Sequence, residues 1–108
     1  ARPDVVLGDR FGAAAAPDLV EEVEAILSEA GLRVARNSPF AGAFIVQHYG
    51  KPAQHQHAIQ IEIDRALYMN ERTLEPTAHF EPFRKLLTGV IGRIADLGRP
   101  AQNAMAAE

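Results

Sequence analysis

The stretch HAIQIEIDRALYM, residues 57–69, decides how the architecture is read. Ile59, Ile61 and Ile63 alternate with Gln60, Glu62 and Asp64. This period of two puts apolar side chains on one face of a strand and an amide and two carboxylates on the other. Arg65 and an apolar-aromatic run over 66–69 follow. The local sequence leaves two readings of the polar face open: solvent wets it at a sheet edge, or it lines a site. In the second reading Glu62, beside Gln60 and close to Arg65, is a candidate general base.

Working outward, residues 4–7 form a short β-branched run stopped by Gly8-Asp9, the pattern of a strand ending in a turn. Pro17 opens a helix whose apolar stripe is Leu19, Val23, Ile26, Leu27 and Ala30, with Gly31 as its C-terminal stop. A second strand is expected over 32–36, then a turn-forming loop over 37–42. Residues 43–50 read as a third strand or a loop-to-strand segment, ended by Gly50 and Pro52. The opening stretch is the fourth. A linker containing Pro76 leads to a last helix in which Phe80, Phe83, Leu87, Val90, Ile94 and Leu97 recur at threes and fours. Pro82 belongs to its first turn, and Gly98 with Pro100 closes it. Gly89 and Gly92 inside that helix each cost up to ~1 kcal/mol relative to alanine, for which close packing against a neighbour is the expected compensation.

Strand, helix, three strands, helix describes an α/β layer structure with a mixed sheet and two main helices. Residues 1–100 form one domain or part of one, and 101–108 carry no core pattern and read as a flexible tail. Two helices and a few short strands do not cover both faces of a buried sheet, so either the polar face of the fourth strand is solvated or other polypeptide covers it. The chain begins at Ala1 and runs almost directly into a strand, the look of a piece of something longer.

Composition narrows the function classes. The chain has 108 residues and a formal net charge of −3, without the clustered basic surface that nucleic-acid binding needs. It has no cysteine, which removes disulfides, thiolate nucleophiles and cysteine zinc sites, and fits a reducing compartment such as the cytoplasm. No apolar run approaches the ~20 residues of a membrane span. Histidines stand at 48, 55, 57 and 79, but no HExxH occurs, and His55 and His57 read as exposed loop residues. No glycine pattern for a nucleotide and no GxSxG nucleophile elbow is present. Tyr49 and Tyr68 read as half-buried aromatics at strand ends.

Three segments carry more. DVVLGDRFG, NSPFAGAFIVQHYG and HAIQIEIDRALYM, in this order and at these separations, resemble the C-terminal portion of the N-formylglutamate amidohydrolase family, with the last helix in its place. The resemblance spans residues 4 to about 97 and less than half of the family's usual length. It implies a fragment of a three-layer α/β/α zinc-hydrolase fold similar to the carboxypeptidase and aspartoacylase group. It also implies hydrolysis of the amide of an N-formyl or N-acyl acidic amino acid such as N-formyl-L-glutamate. Glu62 would be the catalytic residue, activating the zinc-bound water and passing its proton to the leaving amine. Gln60 and Arg65 would support the site or the substrate carboxylates, and Asn37 and Gly42 would shape the pocket, with His48 and Tyr49 as weaker wall candidates.

The chain departs from the family pattern in two places: Gly42-Ala43 stands for two glycines, and Phe40 stands where tyrosine is frequent. The resemblance places the zinc ligands ahead of DVVLGD, outside this chain. The chain alone would then be inactive, with the preceding segment of the same protein as its partner and an open sheet prone to self-association. The competing reading is a non-catalytic binding or assembly module that keeps the fold.

Overall fold

The computed structural model describes residues 2–39, 41–42 and 44–98. The expected tail at 101–108 lies outside them. In chain order the elements are β1 (Val5–Gly8), α1 (Pro17–Glu29), β2 (Val34–Arg36), α2 (Phe44–Tyr49), β3 (Gln60–Ile63), β4 (Met69–Asn70), β5 (Glu75–Pro76) and α3 (Phe80–Leu97), with 3₁₀ turns at Pro52–Gln54 and Arg65–Leu67.

The sheet order is β2-β1-β3. β1 runs parallel to β2, with Val5 opposite Val34, and antiparallel to β3, with Val6 opposite Glu62 and Gly8 opposite Gln60. The sheet is therefore mixed. The apolar run of β1 is what a strand with neighbours on both sides requires, and every one of its residues is buried. Val5 and Leu7 join Ala15, Val20, Val23, Ile26, Leu27 and Val90 in the core, with Ile59 and Ile61 packed against it. The isoleucines of the alternating stretch thus face α1 and α3, and Gln60 and Glu62 take the other side of the sheet.

α1 buries Val20, Val23, Ile26 and Leu27. It ends in a Schellman arrangement: Gly31 N donates to the Ser28 carbonyl at 3.0 Å and Leu32 N to the Leu27 carbonyl at 3.2 Å. At its start, Ala16 N donates to His57 Nδ1 at 3.0 Å, tying the helix entry to the loop before β3. In α3 Val90 is buried while Leu86, Ile94 and Leu97 pack at the core edge. Its first turns carry Phe80 and Phe83 against Tyr68, with ring centroids 6.0 and 5.4 Å from the tyrosine.

Three expectations are corrected. Residues 44–49 form a helix rather than a strand, although Phe44-Ile45-Val46 has β-type composition. The segment docks by burying Val46 alone. The linker before α3 holds a β4–β5 hairpin, in which Met69 pairs with Pro76 and Asn70 Oδ1 accepts from Arg72 N and Thr73 N. Gly89 and Gly92 have open space where a Cβ would stand, so among the described residues no close packing compensates for them. No described helix is long and apolar enough to cross a membrane.

Candidate active site

The polar face of β3 is joined by a turn from far along the chain. Gly8, the register partner of Gln60, lies beneath the 41–42 turn: a Cβ there would stand 2.7 Å from Gly42 N and 2.8 Å from the Ala41 carbonyl carbon. Only a hydrogen at Gly8 lets the turn close onto the sheet. Arg10 N donates to the Ala41 carbonyl at 2.8 Å, and Arg10 Nη1 to the Gly42 carbonyl at 3.2 Å. Gly42 has φ +115, a conformation in which L side chains are strained.

Asn37 fixes the other side of this junction. Its Oδ1 accepts from Asp9 N at 3.1 Å and from Phe11 N at 3.3 Å, and its Nδ2 donates to Asp9 Oδ1 at 2.7 Å. The backbone of Asn37 N donates to the Leu7 carbonyl at 2.8 Å. Its φ of +58 belongs to the left-handed region that asparagine tolerates better than most residues. Asn37 thus braces the 9–11 loop, and through it the 41–42 turn. The Ser38–Pro39 peptide beside it is cis.

Glu62 is exposed in this chain, but it does not stand apart from the turn. It shares with Val6, Pro39 and Arg65 the wall of a cleft of about 410 Å³. Gln60 Nε2 donates to Glu62 Oε1, which holds the carboxylate along the strand. Arg65, at the start of the 3₁₀ turn, lies with Nε 3.5 Å from Glu71 Oε1. Asp64 accepts from Arg2 Nε at 2.6 Å, from Arg2 Nη2 at 2.7 Å and from Ala66 N at 3.0 Å. The Arg2 hydrogen bonds hold its carboxyl below the usual carboxylate range, with the Ala66 amide adding to the effect. Asp4, buried at the same end of the sheet, is held low in the same way by Arg33.

The structure therefore brings Asn37, Gly42, Gln60 and Glu62 to one side of the sheet and sets Arg65 at the cleft rim, paired with Glu71. His48 lies on α2, stacked on Phe44 at 5.2 Å and edge-on to Tyr49 at 4.8 Å. Phe40 and Ala43, where the sequence departs from the family pattern, lie outside the described residues. A larger cleft of about 960 Å³ opens between α1, α3 and β3. Its walls are mainly apolar, with Val23, Ile59, Ile61, Ile94 and Leu97, and it lies on the helix-covered face, away from Glu62. Volume favours that cleft; the convergence of carboxylates and guanidinium groups favours the smaller one.

Gly8 and Arg10 are the members of this assembly that periodicity does not reveal. Gly8 reads only as a strand stop, and Arg10 carries no pattern at all until Asn37 is seen to hold its loop. Among the described residues no three or more His, Cys, Asp or Glu side chains are grouped to hold a metal ion. These residues do not by themselves fit a zinc centre, and no step through zinc follows from them.

Residues 1–69 match the family model described as N-formylglutamate amidohydrolase. The chain belongs to the N-formylglutamate amidohydrolase family. Among curated proteins it is similar to an N-formylglutamate deformylase of Pseudomonas aeruginosa, 41% identical over 71 residues. It is likewise 41% identical over 70 residues to one of Pseudomonas putida. These matches cover 65% and 64% of this chain, but 27% and 26% of the relatives, so the chain spans about a quarter of their length. The crystal structure of the N-formylglutamate amidohydrolase from Ralstonia eutropha JMP134 superposes with a TM-score of 0.86 at 42% identity. That likeness covers 93% of this chain and 36% of the crystallised one. All five site residues fall inside the region matched by the amidohydrolase family model, and the structural likeness extends past it into α3.

Proposed function

We propose that this chain is the C-terminal part of a zinc-dependent N-formylglutamate amidohydrolase, a deformylase acting on an N-formyl or N-acyl acidic amino acid. The rest of the protein completes a three-layer carboxypeptidase- or aspartoacylase-like fold and supplies the zinc ligands, and the chain alone is inactive. One observation carries the reading: within a member of this family, Glu62 and Pro39, from the 37–42 turn, wall the same cleft.

In this reading Glu62 is the general base. Its carboxylate takes a proton from the attacking water, the water oxygen bonds to the formyl carbon, and the C–N bond breaks. The proton passes to the leaving nitrogen, giving formate and glutamate. Gln60 keeps the carboxylate on the cleft side of β3, Arg65 supports substrate carboxylates at the rim, and Asn37 and Gly42 shape the wall. Zinc, when bound by the remaining polypeptide, supplies Lewis-acid chemistry. Phe11, Phe44, Ile45 and Tyr49 are all largely exposed, which supports a reading in which further polypeptide, from the same protein or a second copy, covers this side.

The test is chemical. Protein expressed from the complete reading frame and supplied with zinc is incubated with N-formyl-L-glutamate, and formate and glutamate are measured together. Equimolar release supports the proposal. A protein that folds and binds zinc but releases neither product overturns it in favour of a non-catalytic module.

A further inference from the structure

We infer that Arg10 is a substrate-positioning residue that grips one carboxylate of the acidic amino acid; this rests on the amidohydrolase reading above. Arg2 and Arg65 line the cleft that Glu62 walls, and Arg10 lies against the 41–42 turn beside it. Arg2 is paired with Asp64, and Arg65 lies against Glu71. Arg10 has no carboxylate partner among the described residues. Its Nη1 is spent on the Gly42 carbonyl, and its Nε and Nη2 have no partner there. That free Nε/Nη2 edge is one of the two forks with which a guanidinium takes a carboxylate through parallel hydrogen bonds.

The placement is built rather than incidental. Arg10 and Phe11 have φ of +55 and +57, consecutive non-glycine residues in the left-handed region. Such a conformation persists only where its surroundings impose it, and these pairs concentrate at ligand clamps. Asn37 imposes it here by accepting from the amides on either side of Arg10. The stem passes beside Gly42, where an added Cβ would stand 3.4 Å from Arg10 Cδ. Gly42 rests on Gly8, Gly8 faces Gln60 in register, and Gln60 holds Glu62. Arg10 is thereby linked, through the 41–42 turn and Gly8, to the strand that carries the proposed base. A substrate whose formyl group meets Glu62 has its own anionic groups a few bonds further on, and an unpaired guanidinium is the group suited to hold one of them.

The experiment uses Arg10→Gln in the protein expressed from its complete reading frame, because glutamine removes the charged fork while the Arg10 amide's bond to the Ala41 carbonyl and the Asn37 brace remain to hold the loop. N-formyl-L-glutamate is compared with its γ-amide and its α-amide. We expect KM for N-formyl-L-glutamate to rise about 10- to 100-fold, the loss of a charged hydrogen-bonded pair, with kcat changed only a few-fold. Discrimination against one of the two amides should collapse in the variant. An unchanged KM, or a raised KM with both discriminations intact, overturns the role and leaves Arg10 as a loop brace. Glutarate binding by calorimetry separates this proposal from the one it rests on. If the wild type cleaves nothing yet binds glutarate, and Arg10→Gln loses that binding, the carboxylate grip stands while the hydrolase reading fails. A wild type that binds no glutarate contradicts the grip itself.

Discussion

Gly8→Ala tests the junction on which the site depends. The new Cβ would stand 2.7 Å from Gly42 N and 2.8 Å from the Ala41 carbonyl carbon. Ordinary contact between such atoms begins near ~3.5 Å, so the turn must retreat by roughly 0.8 Å. Both neighbours are backbone, and the turn is anchored by the Arg10 amide and by the Asn37-braced loop, so no flexible side chain can absorb the displacement. Overpacking of this kind costs about 1–3 kcal/mol. With a urea dependence of about 1–1.5 kcal/mol/M for a domain of this size, the unfolding midpoint should fall by about 0.7–3 M. Urea titration of the 108-residue chain, followed by circular dichroism, reads this directly. In the whole protein the same shift moves Pro39 and Gly42 relative to Glu62, and displacement on that scale costs about 100-fold in turnover. A midpoint within about 0.2 M of wild type, against an expected drop of about 0.7–3 M, would show that the turn does not rest on Gly8, and the assembled cleft would lose its foundation.

Other outcomes follow from the same coordinates. Gly89→Ala places a methyl group where nothing lies within 4 Å, inside a helix, so it should raise stability by up to ~1 kcal/mol in the same titration; a loss would mean that another surface occupies that space. Asp4 and Asp64 are both held below the usual carboxylate range by their arginine partners. A depressed folded-state value means that the unfolded chain binds protons first. The contribution is complete above the unfolded value of about 3.9 and is lost as pH falls through the lower folded values. The urea midpoint should therefore drop steeply below about pH 4, and an Asp4→Asn, Asp64→Asn variant should start less stable at neutral pH and decline less on acidification. Equal acid slopes in the two proteins would count against these pairs.

Much of the fold is written locally. The alternation at 59–64 places isoleucines on the core side and Gln60 and Glu62 on the other, and the register with β1 confirms that division. The stripe of α1 and the repeat of α3 are legible because burial at 3.6-residue spacing leaves a periodic trace. Residues 44–49 were not legible. Phe44, Ile45 and Val46 have strand propensity, yet the segment folds as a helix that buries Val46. The hairpin at 69–76 is hidden as well: its strands are two residues each, too short for a period.

The site divides along the same line. Glu62 is visible as a carboxylate on a strand with an apolar back. What surrounds it depends on Asn37 reaching Asp9 and Phe11, more than two dozen residues earlier, and on a glycine allowing two backbones to touch. Such contacts leave no spacing in the sequence. The αL tolerance of asparagine at 37 was a local clue; Arg10 and Phe11 offered none, since their conformation is imposed by a partner in another loop.

The most direct measurement is single-turnover hydrolysis of N-formyl-L-glutamate by the zinc-loaded protein from the complete reading frame, comparing wild type with Glu62→Gln. An amide at position 62 keeps the shape of the strand and the hydrogen-bonding reach of Gln60 but cannot accept the proton. The account predicts a fall in the chemical step of about 100- to 10,000-fold with substrate affinity nearly unchanged. A variant that turns over within a few-fold of wild type would contradict it.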